Sequence, residues 1–299
     1  MLRNVFIALF VLCTFISPAY PAQFEEIGKT GVTLKFEKGT KGAALEILGL
    51  IPALKKRIRK RSGLKFDFPF EMIIYRNRSD FVDMAGNDMI AAFAVPARNL
   101  IVLDLSRMSV HPLNIELITI HEMTHLVLHH YIREENLPKW FDEGVAQWVS
   151  GISEMINPHS GDLLKKAVIY RKVIPFYDIE NRFPADRNGF ALAYEESLNI
   201  IEYIESQYGE TAVRNIILRL ERGERFSDAV RNVVPEGLVK VERSWRRSLE
   251  IKYTWLGYVS NNIYWILFVA GALLTVFGFL RLRKRIRDYP DDNDEDINY

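Results

Sequence analysis

The stretch TIHEMTHLVLHH, residues 119–130, contains four of the six histidines in this chain of 299 residues. His121 and His125 are four positions apart, and Glu122 follows the first of them. On a helix, residues i and i+4 lie on one face, so both imidazoles can point at one metal ion. Glu122 lies about 100° further round the helix, where it can take a proton from a water at the metal. The stretch therefore predicts a metal-binding helix with a candidate general base.

A catalytic zinc site normally has three protein ligands, so the two histidines need a partner. The metzincin pattern is excluded, because Leu128 and Tyr131 occupy the positions where that pattern has glycine and histidine. The segment PKWFDEGVAQWVSG, residues 138–151, offers Glu143 eighteen positions after His125. This spacing allows the first helix to end and a second helix to return antiparallel to it. Glu143 would then lie over the histidine face as a third ligand.

Three polar residues near the motif receive other interpretations. Asp142 precedes Glu143, and successive helical residues diverge by about 100°, so Asp142 is expected to hold a ligand histidine instead of binding the same ion. His129 and His130 continue the histidine row, and we interpret them as surface residues near the helix end.

The two motifs together resemble those of the gluzincin zinc peptidases. HExxH followed at this distance by W-x-x-E-G-x-A is similar to the compact peptidase-MA-like branch, which is related to aminopeptidase N and thermolysin. The second motif is carried here by Trp140, Glu143, Gly144 and Ala146. A later segment, FALAYEESLNIIEYIESQYG at residues 190–209, resembles the helix that follows in these domains.

The resemblance implies one Zn²⁺ per chain, bound by His121, His125 and Glu143, with Glu122 as the general base that helps a zinc-activated water to hydrolyse peptide bonds. It also implies that Tyr194 donates a hydrogen bond to the oxyanion. A phenol suits that role because it stays neutral at pH 7. The alternative for Tyr194 is a core tyrosine with a satisfied hydroxyl group.

The sequence departs from the aminopeptidase-N pattern in one segment. Those enzymes carry a Gly-x-Met-Glu-Asn strand whose glutamate binds the free amine of the substrate, and the corresponding segment AAFAVPARN, residues 91–99, has no glutamate. An endopeptidase is therefore preferred over an aminopeptidase. The strand predicted over residues 100–105 is expected to line the cleft and to pair with the substrate backbone, as edge strands do.

Two other functions stay open on the sequence alone. One is a catalytically inactive, zinc-containing binding or assembly module on the gluzincin fold at the membrane surface, because a fold does not guarantee activity. The other is a membrane-associated protein without a metal, which the paired motifs disfavour.

Two apolar segments lie near the two ends of the chain. Residues 5–16 form a short apolar run followed by the small residues of SPAYPAQ, which predicts a signal peptide over residues 1–22, with an uncleaved signal anchor as the alternative. Residues 263–280 contain no charged side chain, and eighteen residues can just span a bilayer core. The basic run RLRKRIR that follows indicates a cytoplasmic C-terminus.

The predicted organisation is therefore a single-pass protein of the cell (inner) membrane. An extracytoplasmic or periplasmic peptidase domain covers residues 23–255, a transmembrane helix with interfacial flanks covers 256–281, and a cytoplasmic tail covers 282–299. The expected partners are exported or membrane-associated peptide or protein substrates, and membrane lipid around the C-terminal helix. The 39 basic and 38 acidic side chains give no basic excess for nucleic acid. The single cysteine, Cys13, lies in the predicted signal peptide.

The apolar pattern predicts strands at residues 32–36 and 70–76 and a hairpin around the turn at 96–99. A helix is predicted from residue 41 with an interruption near Gly49 and Pro52, and a short helix with Ser79 as its N-cap. Further helices are expected over residues 113–131, 138–151, 162–173, 190–208, 211–222 and 238–252. The predicted fold is α+β: a small N-terminal mixed or antiparallel sheet with the active-site helix, then a mostly helical half as in thermolysin-like zincins, plus one C-terminal transmembrane helix.

Overall fold

A computed structural model describes residues 24–29, 31–108, 114–152 and 162–287. The predicted signal peptide and the tail from residue 288 onward lie outside the described residues. The first half contains five strands: β1 (Phe24–Lys29), β2 (Val32–Glu37), β3 (Phe70–Tyr75), β4 (Ala92–Val95) and β5 (Leu100–Asp104). They form one sheet in the order β1-β2-β3-β5-β4. The α+β prediction is confirmed.

The sheet is mixed. β2, β3 and β5 run parallel, and β1 and β4 pair antiparallel with them at the two edges. The predicted strands at residues 32–36 and 70–76 are β2 and β3. β1 was not predicted, because its side chains are largely exposed and give no apolar alternation.

The hairpin predicted around residues 96–99 is formed by β4 and β5. Asn99 adopts a left-handed conformation with φ 48° at the turn, which asparagine tolerates better than most residues. The expectation that residues 100–105 form an edge strand is wrong. β5 lies between β3 and β4 with all five residues buried, as expected of a continuous apolar run in the parallel part of a sheet. The edge strand is β4, the preceding arm of the hairpin.

Helix α1 (Lys41–Ser62) is continuous, so the interruption predicted near Gly49 and Pro52 is wrong. Its buried face repeats at helical spacing and packs into the main core, which outweighs the backbone hydrogen bond that Pro52 cannot donate. That face consists of Ala44, Ile47, Leu48, Ile51, Leu54 and Ile58. Helix α2 (Arg78–Ala85) begins after the N-cap residue Asn77 and not after Ser79.

The remaining helices follow the predicted order. They are α3 (Leu105–Met108), α4 (Ile115–Tyr131), α5 (Lys139–Ser150), α6 (Asp162–Ile169), α7 (Arg187–Tyr208), α8 (Ala212–Glu221), α9 (Phe226–Val233), α10 (Gly237–Asn261) and α11 (Ile263–Arg287). The sequence did not predict α3 or α9, and α10 continues well past residue 252. Among the described residues, one helix is long and apolar enough to cross a membrane, namely residues 263–285 of α11, with a mean hydropathy of 2.3.

Helix α4 lies at the centre of the domain. The side chain of its N-cap residue, Asn114, accepts hydrogen bonds from the backbone N–H groups of Glu116 and Leu117, which satisfies two of the free donors at the helix start. Every residue from Ile118 to Leu128 is buried. Polar side chains on this helix therefore lie inside the protein and need partners there.

Helices α5 and α7 approach each other at Gly144. A Cβ atom added to Gly144 would lie 2.3 Å from the carbonyl oxygen of Ser197, a distance that no side chain can occupy. This contact places α7 directly beside the helix that carries Glu143.

We expect Gly144→Ala to destabilise the protein by about 1–3 kcal/mol or more, because the added methyl group overpacks the contact between α5 and α7. The measurement is the free energy of unfolding of the full chain in detergent. Gly49→Ala on α1 is the matched control: no atom lies within 4 Å of its added Cβ, and alanine should favour this helix by up to about 1 kcal/mol. Equal stability of the two variants would contradict the close approach.

Candidate active site

Helices α4 and α5 bring three predicted ligands together. His121 and His125 direct their Nε2 atoms toward each other at 3.2 Å, and Oε2 of Glu143 lies 3.5 Å from the first and 3.4 Å from the second. The three side chains are buried, and their candidate ligand atoms lie within 4.8 Å of one another. The predicted set of His121, His125 and Glu143 therefore forms one cluster.

The chemistry of this cluster fits Zn²⁺. Two imidazole nitrogens and one carboxylate oxygen are the donors of one common class of catalytic zinc site. Oε2 of Glu143 is buried and has no hydrogen-bond partner among the described residues. A buried carboxylate oxygen without a partner is costly unless a cation compensates it, and a metal ion at this point would do so.

Asp142 holds one of the ligand histidines. Nδ1–H of His125 donates to Oδ1 of Asp142 over 2.8 Å, which leaves Nε2 of that ring as the free donor atom for a metal. Burial lowers the pKa of His125, but the carboxylates of Asp142 and Glu143 outweigh this effect and hold the pKa well above its usual range.

His129 is part of the same network and is not a surface bystander. Its Nε2 atom lies 3.1 Å from Oδ2 of Asp142, so this carboxylate bridges two imidazoles of α4. His129 lies one helical turn after His125, so both imidazoles contact the same buried aspartate. His130 lies outside the network and stacks on Phe68 with ring centroids 3.9 Å apart.

Glu122 lies beside the ligand cluster and lines the same cleft. It is 3% exposed, and burial raises the pKa of its carboxyl group, with the charges of His121 and His125 opposing the shift. A carboxylate of raised basicity is suited to accept a proton at neutral pH.

Tyr194 reaches the cleft from α7. Burial, together with the charge of the neighbouring Glu143, raises the pKa of its hydroxyl group well above the usual value. The side-chain amide of Gln147 donates to the backbone oxygen of Tyr194 over 3.0 Å, which fixes α7 against α5. The phenol therefore stays neutral and lies next to the three candidate ligands.

The cleft that contains these groups has a volume of about 730 Å³. One wall is β4, from Ala92 to Val95, and the loop before it. The strand expected to line the cleft, residues 100–105, is instead buried next to β4 in the interior of the sheet.

Lys139 is a site residue that the sequence reasoning missed. Its Nζ atom lies 2.7 Å from Oε1 of Glu143, and its side chain lines the cleft. The i, i+4 spacing of Lys139 and Glu143 on one helix was the signal in the sequence that could have indicated this contact.

A mixed sheet with an edge strand along the cleft, a buried HExxH helix and a glutamate from the next helix define a gluzincin-type domain. The family model of the Peptidase MA superfamily matches residues 53–251. The chain belongs to that superfamily, which confirms the resemblance seen in the sequence and supports a zinc-dependent hydrolase.

Individual relatives are distant. Uncharacterized protein YhcO of Bacillus subtilis is 22% identical over 143 residues, which are 44% of this chain and 40% of that protein. Native yeast LTA4 hydrolase has a TM-score of 0.47 at 11% identity, over 76% of this chain and 37% of that one. An M1 zinc metallopeptidase from Deinococcus radiodurans has a TM-score of 0.45 at 12% identity, over 77% of this chain and 51% of that one. The chain thus matches only about half or less of the length of each.

We expect Asp142→Ala to weaken zinc binding by about 10–100-fold, because His125 loses the carboxylate that orients its ring. The measurement is the zinc dissociation constant of the purified full chain by competition with a chelator. Asp178→Ala removes an exposed aspartate outside the cleft and should leave the constant unchanged. An unchanged constant in Asp142→Ala would show that the carboxylate does not support the ligand.

Proposed function

We propose that this chain is a membrane-anchored zinc metallopeptidase that cleaves peptide bonds within exported or membrane-associated polypeptides. The observation that carries the proposal is the buried oxygen Oε2 of Glu143, 3.4–3.5 Å from the Nε2 atoms of His121 and His125. With Glu122 next to them, these residues provide three metal ligands and one base.

Zn²⁺ bound by these three residues would supply Lewis acidity and lower the pKa of a bound water. Glu122 accepts the proton of the attacking water and passes it to the leaving amine, a role that its raised pKa favours. Tyr194 donates its hydroxyl hydrogen to the oxygen on which negative charge develops. It is available for this role because it is neutral and lines the same cleft as Glu143.

The composition of β4 supports an endopeptidase. This cleft strand presents Ala92, Phe93, Ala94 and Val95, and none of these offers a carboxylate to a free amino terminus. Apart from Glu122, Asp142 and Glu143, the acidic residue that lines the described cleft is Glu134, which is exposed on the loop after α4. An exposed carboxylate contributes little to binding an ammonium group, so the site favours internal peptide bonds.

The C-terminal helix supports membrane anchoring. Residues 263–280 of α11 carry no charged side chain, and none of the apolar window of this helix is buried by the rest of the protein. Several arginines and a lysine follow in residues 281–287, which favours a cytoplasmic tail. The proposed organisation keeps the sequence boundaries: signal peptide 1–22, extracytoplasmic domain 23–255, membrane segment 256–281 and tail 282–299.

Glu122→Gln should retain about one zinc per chain, as expected of a site whose three ligands are intact, but lose about 10²–10⁴-fold in kcat, because an amide cannot accept the proton. The measurements are elemental analysis and hydrolysis of a casein or peptide library. Glu116→Gln, on the same helix with a side chain that is 44% exposed, is the control and should keep full activity. Equal activity of Glu122→Gln and the wild type would remove Glu122 as the base.

The same experiment distinguishes the proposed peptidase from the second candidate function. A zinc-containing binding or assembly module would bind the metal in both proteins and hydrolyse nothing in either. Absence of zinc from both proteins would exclude the peptidase and the zinc module together.

The proposed topology predicts the labelling of two single-cysteine variants, made after Cys13→Ser. Lys240→Cys, at an exposed position on α10, should react with a membrane-impermeant maleimide in intact cells. Asn298→Cys should react only after the cells are permeabilised, because the tail would be cytoplasmic. The reverse pattern would contradict the topology and leave the peptidase proposal in place.

A further inference from the structure

We propose that Lys139 is a positioning residue of the metal site: its ammonium group occupies one oxygen of Glu143, so that the carboxylate binds the metal through the other oxygen alone. This inference rests on the proposed function, in which Glu143 is a metal ligand. It goes further by explaining how the site keeps a coordination position open.

The two oxygens of Glu143 face different partners. Oε1 lies 2.7 Å from Nζ of Lys139. Oε2 faces Nε2 of His121 and His125 at 3.5 and 3.4 Å and has no hydrogen-bond partner among the described residues. The carboxylate is therefore oriented with one oxygen toward the ammonium group and the other toward the candidate metal position.

Lys139 and Glu143 are also an i, i+4 pair, and such pairs often only stabilise a helix surface. The burial of the Glu143 carboxylate argues for more than a surface pair. The side chain of Glu143 is 4% exposed and that of Lys139 is 40% exposed. Within the described part of the chain, no other lysine or arginine lies within 4.0 Å of Glu143. Lys139 is thus the permanent positive charge that compensates this buried carboxylate.

Single-oxygen binding matters because a catalytic zinc site needs a free position. Three protein ligand atoms leave a place for water and substrate. A glutamate that binds through both oxygens would take up a further position. Lys139 prevents this by keeping Oε1 in an ion pair, and it does so from the first turn of the helix that carries Glu143.

The test compares Lys139→Met, which removes the ammonium group, with Lys139→Arg, which keeps the charge and the donors. The full chain is loaded with Co²⁺, whose visible absorption is strong in four-coordinate sites and weaker at higher coordination number. Lys139→Met should bind one Co²⁺ with weaker absorption, and its zinc form should lose about tenfold or more in kcat with KM unchanged. Lys139→Arg should keep the wild-type spectrum. Lys166→Met, at an exposed position on α6, is the matched control.

Two other outcomes overturn the inference. A wild-type spectrum in Lys139→Met would show that the ion pair does not set the coordination, even if the melting temperature falls. A raised KM with unchanged kcat and spectrum would make Lys139 a substrate contact. If Lys139→Met does not fold, Lys139→Leu, which also lacks a donor, takes its place and must give the weaker spectrum. Failure of the wild type to bind any metal would instead reject the proposed function.

Discussion

A single buried carboxylate, that of Glu143, is the constraint on which the described site depends. Removing an ionised carboxylate from water costs several kcal/mol unless charges and hydrogen bonds compensate it, as a general estimate for buried ions. Here Lys139 on α5 itself pairs with one oxygen, and a cation held together with His121 and His125 on α4 would compensate the other. Helices α4 and α5, with Tyr194 on the neighbouring α7, surround this one charge.

Three consecutive residues of α5 serve three different neighbours. Successive helical side chains diverge by about 100°. Asp142 therefore faces Nδ1 of His125, Glu143 faces the candidate metal position, and Gly144 faces α7. Glycine is required at position 144 because a Cβ atom there would lie 2.3 Å from the backbone oxygen of Ser197. The short motif D-E-G therefore combines a histidine partner, a candidate metal ligand and a helix-packing contact in less than one turn.

Local patterns predicted much of the fold. Apolar alternation predicted β2 and β3, helical spacing predicted α4, α5 and α7, and a turn sequence predicted the hairpin. The failures have physical causes. β1 has exposed side chains and forms only because β2 provides hydrogen-bond partners. The predicted break at Pro52 does not occur, because burial of one face of α1 outweighs a local preference. Which arm of the hairpin forms the edge depends on pairing with β3, which sequence spacing does not encode.

For the site, residue type and helical spacing alone predicted the candidate ligand pair His121 and His125 and the neighbouring Glu122. The paired motifs showed the resemblance to the superfamily that the family match confirms. Only the tertiary structure decided that His129 joins the network through Asp142, that β4 borders the cleft, and that Lys139 holds one oxygen of Glu143. These facts depend on contacts between helices and strands, where distances of a few ångströms decide which groups interact.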